Sequence, residues 1–184
     1  MRNQVKRGRG FAVWVTGLPG SGKSTLSRIV REKLEKTGVR VIILESDELR
    51  RELMPNSSYG LDERELFYNV LAYLGKSLSE NGVNVIFDAT ANLRKFREKA
   101  RLSIKNFLEV YVRCPLEECI RRDPKGIYAL ARKGKATTVP GLQVEYEKPL
   151  APEVIVDTRR ETADSGGERI VKEITERFLT KTVK

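Results

Sequence analysis

A chain of 184 residues is long enough for one α/β core and short for two domains, so a single domain with a mobile insertion is expected. Its 35 Lys and Arg against 25 Asp and Glu give a net charge of +10, which suits anionic ligands such as nucleotides and would also suit nucleic acid. Two cysteines, spaced as neither a metal knuckle nor a redox pair, exclude a disulfide framework, and the absence of histidine leaves any acid/base work to carboxylates.

The basic start, residues 1–10, precedes only a short apolar run, so neither a signal peptide nor an anchor is expected and the chain is read as cytoplasmic with no membrane partner. Phe11 to Val15 is a continuous apolar run of strand length. Gly17, Leu18, Pro19, Gly20, Ser21, Gly22, Lys23, Ser24 and Thr25 then satisfy the G-x-x-x-x-G-K-[ST] spacing at every fixed position. Glycines there let successive backbone N–H groups turn inward, and the helix that follows, residues 24–37, adds its positive dipole end. The stretch is a phosphate cradle, in which Lys23 can reach the outer phosphates and the Ser24 hydroxyl can take one position on Mg²⁺.

Gly38 ends that helix, and residues 39–44 supply a second buried strand with polar groups clustered after it, Asp47 and Arg50 among them. Asp62 to Glu80 reads as a helix capped by Asp62, with Glu65 completing a capping box and Leu66, Val70, Tyr73, Leu74 and Leu78 along its apolar face. Residues 83–87 form a third strand that delivers Asp88 at its carboxyl end. A helix over 94–106, a strand over 107–112 and a helix from Pro115 to about Asp123 follow. From about 122 to 150 the chain is polar, basic and punctuated by Gly and Pro, the pattern of a lid, before a fifth strand over 154–157 and a closing helix over 168–178.

Strands alternating with helices imply a P-loop α/β fold, a five-stranded parallel sheet with helices on both faces. Its crevice gathers the carboxyl ends of strands one to three, so Asp47 and Asp88 meet Lys23 and Ser24 on one rim. One acid can orient Mg²⁺ while the other accepts a hydroxyl proton. No guanine-reading Asn-Lys-x-Asp is present, which disfavours a GTPase. A kinase needs a cationic closing segment, and Arg121, Arg122, Lys125, Arg132 and Lys133 supply one.

Gly10 to Thr25 resembles the opening of adenylylsulfate kinases, and so do Leu44 to Arg50, Leu93 to Arg101, Glu109 to Tyr128, Ala131 to Gly134, Tyr146-Glu147 and Val156 to Thr158. The resemblance implies transfer of the ATP γ-phosphoryl group to the 3′-hydroxyl of adenylylsulfate, with Mg²⁺, by a homodimer. It assigns Asp47 and Lys23 to catalysis, the loop from Gly17 to Thr25 to ATP, and Ser24 to the metal, beside which Asp47 and Asp88 are candidate metal ligands by their place on the rim. Arg50 and Arg64 are assigned to the phosphosulfate and Tyr59 to the adenine, while Asp88 and Lys125 complete the substrate contacts.

Three departures stand out. Phe67 and Val139 replace the family's usual Asn and Phe, and Asp88-Ala-Thr-Ala-Asn92 replaces a loop that usually reads Ser-Phe-Ile-Ser-Pro. That loop resembles kinases acting on polynucleotide ends or aminoacylated tRNA. Two alternatives therefore remain: a kinase for another hydroxyl, and a nucleotide-binding regulatory ATPase. Nucleic acid is not the expected partner, because no extra domain or aromatic platform is present to hold a strand.

Overall fold

The computed structural model describes residues 8–180. Five parallel strands, β1 (Ala12–Thr16), β2 (Val41–Glu45), β3 (Asn84–Asp88), β4 (Phe107–Arg113) and β5 (Val154–Asp157), form one sheet in the order β2-β3-β1-β4-β5. The central strand β1 is buried along its whole length, as its unbroken apolar run requires of a parallel strand covered on both faces. Chain order reverses on either side of β1, so the crevice beyond its carboxyl end is the switch point of the sheet.

Among the described residues, eight helical elements surround the sheet: α1 (Lys23–Lys36), α2 (Ser46–Leu53), α3 (Leu61–Glu80), α4 (Arg94–Ser103), α5 (Leu116–Arg122), α6 (Ile127–Arg132), α7 (Ala163–Ile174) and a π-helical turn, Thr175–Leu179. One core, with Val13, Val15, Leu26, Val30, Ile86, Val110 and Ile170, fills the space between the sheet and α1 and α7. Its counterpart on the other face, with Trp14, Phe67, Tyr68, Leu71, Phe87 and Phe96, lies under α3 and α4. A third, smaller cluster of Cys114, Cys119, Tyr128, Ala131 and Val139 belongs to α5 and the segment after it.

Several expectations are corrected. Helix α3 is capped by Gly60 rather than Asp62, and no capping box forms. Glu65 instead pairs with Lys95 of α4, while Glu63 reaches back to accept the Tyr59 N–H at 2.9 Å. The buried face of α3 is Arg64, Phe67, Tyr68, Leu71, Ala72 and Gly75, whereas Leu66, Val70 and Tyr73 face outward. Pro115 sits one position before α5 rather than in its first turn. Helix α4 stops at Ser103, and α7 begins at Ala163, where the Thr162 hydroxyl caps it by accepting the Ser165 N–H. The basic start lies mostly outside the described residues.

Candidate active site

The cradle joins β1 to α1. Gly20 and Gly22 have φ of +76° and +105°, the left-handed region that favours glycine, and a Cβ on Gly20 would stand 2.9 Å from the Cys119 carbonyl oxygen. Helix α1 has no side-chain cap and no acid in its first turn, so its first N–H groups are left for an anion. Lys23 is buried and donates to the Leu18 carbonyl at 3.0 Å. Burial lowers the pKa of its amine from the usual 10.5, and the charges of Asp88 and Asp47 pull against that fall.

Two cavities adjoin at this point. The first, about 460 Å³, is bounded by the cradle from Gly22 to Thr25, by Asp47 and Asp88 at the ends of β2 and β3, and by Arg122 and Lys125. The second, about 410 Å³, is bounded by Arg50, Tyr59, Arg64 and Tyr68 on one side and by residues 135–140 on the other. Pro19, Ser46, Asp47, Thr90 and Ile127 line both. Asp47 thus stands on the wall between the cavities, and the Lys125 amine holds one of its carboxylate oxygens at 2.6 Å. Burial acts to lower the Lys125 pKa, but the hydrogen bond and charge of Asp47 outweigh it and raise the amine above 10.5.

The second cavity is built for an anion. Arg50 and Arg64 are 4% and 7% exposed, and neither pairs with a carboxylate among the described residues. The Arg50 guanidinium lies 3.9 Å from the Phe67 ring centre and 4.9 Å from that of Tyr59. Such a contact contributes roughly 0.5–1 kcal/mol at an exposed ring such as Tyr59 and about 2 kcal/mol at a desolvated one such as Phe67. Phe67 therefore supports from beneath a cation that lines the second cavity. Arg64 donates to the carbonyls of Tyr59 (2.8 Å) and Thr138 (2.7 Å) and to the Asn92 side chain (3.2 Å), which ties α3 to the segment over the cavity. Burial lowers its pKa, and the nearby Arg50 charge adds to the effect. Val139 is buried within the third cluster and lines this cavity.

Most residues singled out from the sequence converge here, with some divided between the cavities. Gly20, Gly22, Lys23, Ser24, Thr25, Asp88 and Lys125 line the first cavity, and Pro19 and Asp47 line both. Arg50, Tyr59 and Arg64 line the second. Asp88 and Lys125, expected among the substrate contacts, line the first cavity and not the second. Gly17, Leu18 and Ser21 lie behind the rim, with Leu18 packed on the third cluster. Of the expected lid cations, Arg121 pairs with Glu118 at the surface, whereas Arg122 bonds both oxygens of Thr158 and lines the first cavity. Sequence reading did not single out Ser46, Thr90 or Ile127 for the site. Thr90 alone carried a signal, two residues beyond a strand-end acid.

The family model described as adenylylsulphate kinase matches residues 9–157. The chain belongs to the adenylylsulphate kinase family. It is 44% identical over 148 residues to a protein of Archaeoglobus fulgidus named "Probable adenylyl-sulfate kinase", covering 80% of this chain and 96% of the relative. The solved structure titled as the Mycobacterium tuberculosis APS kinase CysC in complex with AMPPNP and APS superposes with a TM-score of 0.84 at 32% identity, covering 90% of this chain and 97% of that one. A hexameric APS kinase from Thiobacillus denitrificans, at 24% identity and a TM-score of 0.67 over 93% of this chain and 30% of its own, shares the fold.

Proposed function

We propose that this adenylylsulphate kinase family member binds ATP in the first cavity and adenylylsulfate in the second, and phosphorylates the 3′-hydroxyl of adenylylsulfate. The observation that carries this reading is Asp47, the one carboxylate that lines both cavities. The acceptor oxygen attacks the γ-phosphorus, the bond from that phosphorus to the β,γ-bridging oxygen breaks, ADP leaves, and the hydroxyl proton passes to Asp47. Such a transfer needs positioning and charge stabilisation more than covalent participation by the protein. Lys23 and the α1 amides bind the phosphates, Lys125 orients the Asp47 carboxylate, and Arg50 and Arg64 hold the phosphosulfate with Tyr59 beside the adenine.

Ser24, Asp47 and Asp88 put hard oxygen donors on one rim, and among the described residues no group of three or more His, Cys, Asp or Glu side chains gathers to cage a metal. That donor set fits Mg²⁺ that keeps waters and is shared with phosphates, rather than caged by protein. The ion, when bound, neutralises phosphate charge, and these three residues would hold it directly or through water.

A second cavity of about 410 Å³ suits a nucleotide better than a polymer end. The whole chain is read as one kinase domain, with residues 122–150 as its lid. Buried, unpaired Cys114 and Cys119 suit the cytoplasm, and among the described residues no helix is long and apolar enough to cross a membrane. The working assembly is read as a homodimer.

The test is ADP release from Mg·ATP with adenylylsulfate, run beside seryl-tRNA, a 5′-hydroxyl oligonucleotide and no acceptor. Turnover should require adenylylsulfate, and Asp47→Asn should cost about 10²–10⁴-fold in kcat, the usual range for a lost proton acceptor. Turnover with a nucleic acid alone, or equal release in every tube, overturns the reading.

A further inference from the structure

The loop after β3 is held more tightly than a connection of its length needs. Four successive carbonyls, from residue 89 to residue 92, each accept a hydrogen bond from another part of the chain. Trp14 Nε1 donates to Ala89 at 3.1 Å, Thr16 Oγ1 to Thr90 at 2.6 Å, the Arg97 guanidinium to Ala91, and the Glu147 N–H to Asn92 at 2.8 Å. The Ala91 N–H in turn donates to the Tyr68 hydroxyl at 3.1 Å. Ala91 sits fully buried at φ +40°, a conformation that costs a non-glycine residue about 1–3 kcal/mol and survives only where the surroundings over-determine it.

What this locking positions is Thr90. It is half-buried on the wall between the two cavities, and of the five residues there only Ser46, Asp47 and Thr90 have side chains able to hydrogen-bond. Asp47 is engaged by Lys125. Thr90 enters the network through its carbonyl, while its hydroxyl makes no hydrogen bond among the described residues. A hydroxyl without a protein partner among the described residues, carried on an immobilised stretch of backbone beside the carboxylate that lines both cavities, is a ligand contact in waiting.

We propose that Thr90 is an acceptor-binding residue, whose hydroxyl hydrogen-bonds the sugar of the acceptor beside the oxygen that attacks and so sets that oxygen on Asp47. The proposal rests on the reading of the second cavity as the acceptor site. A β-branched hydroxyl suits the task, because its χ1 is stiff and the donor stays aimed.

The experiment compares wild type, Thr90→Val and Thr90→Ser in acceptor titrations at saturating Mg·ATP, with ATP affinity measured by direct titration without acceptor and with thermal unfolding recorded for each. Thr90→Val keeps the shape and removes the hydroxyl, and should raise the KM for adenylylsulfate about tenfold, the range of one hydrogen bond. ATP affinity and Tm should hold, and Thr90→Ser should recover most of the loss. Unchanged acceptor KM in Thr90→Val overturns the proposal. So does a Thr90→Ser as poor as Thr90→Val, or a loss of ATP affinity in the same proportion, which would move the residue to the nucleotide. Wild-type protein that ignores adenylylsulfate overturns the acceptor reading itself, and with it this role; adenylylsulfate turnover that Thr90→Val leaves intact overturns Thr90 alone.

Discussion

Lys23 is asked to be charged where charge is costly. Its side chain is buried, and burial lowers its pKa from 10.5 while Asp88 and Asp47 oppose the shift. The unfolded chain therefore binds this proton more tightly than the folded one. This group's contribution to folding accordingly improves as pH rises through the window between the lowered value and 10.5. Function runs the other way, since phosphate needs the ammonium. ATP affinity of the acceptor-free protein should begin to fall on the alkaline side before pH 10.5, and Lys23→Met should bind weakly with that limb gone. Lys125 does not blur the reading, because its amine is raised above 10.5. An ATP affinity that stays flat up to pH 10.5 would show that the cradle leaves the Lys23 amine at its ordinary value.

Among the elements, α3 is where sequence and structure part. Apolar residues are spread widely round this helix, so 3.6-residue periodicity fits two stripes; of the expected face, Leu78 packs against the core while Leu66, Val70 and Tyr73 lie on the outer side. Gly75 held the missing signal. A mid-helix glycine costs roughly 1 kcal/mol against alanine, and here it permits a close approach: a Cβ would lie 2.0 Å from Phe87 Cζ. Phe87 is fully buried with its ring centre 4.5 Å from that of Trp14, so it has little room to retreat. Gly75→Ala should lower stability by about 1–3 kcal/mol in denaturant titration despite the better helix former. Equal or greater stability would mean the Phe87 ring can move.

The short helices α2 and α6 were unreadable for a different reason. Eight and six residues are too few to hold helix by propensity, and both depend on contacts the sequence does not display. Arg50 of α2 stacks on Phe67, and Tyr128 of α6 is buried with its hydroxyl donating to the Pro19 carbonyl at 3.0 Å. The strands and the phosphate cradle were legible because each is local, a run or a spacing. Arg50 and Arg64 were legible only through resemblance. Ser46, Thr90 and Ile127 join the site through tertiary placement, which no local pattern announces.

At the scale of the molecule, a chain carrying +10 must offset its own repulsion in order to pair with a copy of itself. Leu66, Val70 and Tyr73, at 59%, 38% and 69% exposure, form an outward stripe on α3, and Leu102 is exposed on the neighbouring α4. Apolar side chains aligned on one helix are more than scattered surface residues, and a two-fold contact would bury the same stripe from both copies. Light scattering after size exclusion should give twice the chain mass, with the dimer favoured as salt screens the like charges. Tyr73→Glu places an acid within this stripe and should yield monomer with an unchanged Tm for the fold itself. A wild-type monomer at every salt concentration would remove the homodimer, and a Tyr73→Glu protein that stays dimeric would move the interface off α3. Because Leu66 and Val70 lie on the face of α3 opposite the one bearing Arg64, monomeric Tyr73→Glu should keep its adenylylsulfate turnover, which separates assembly from chemistry.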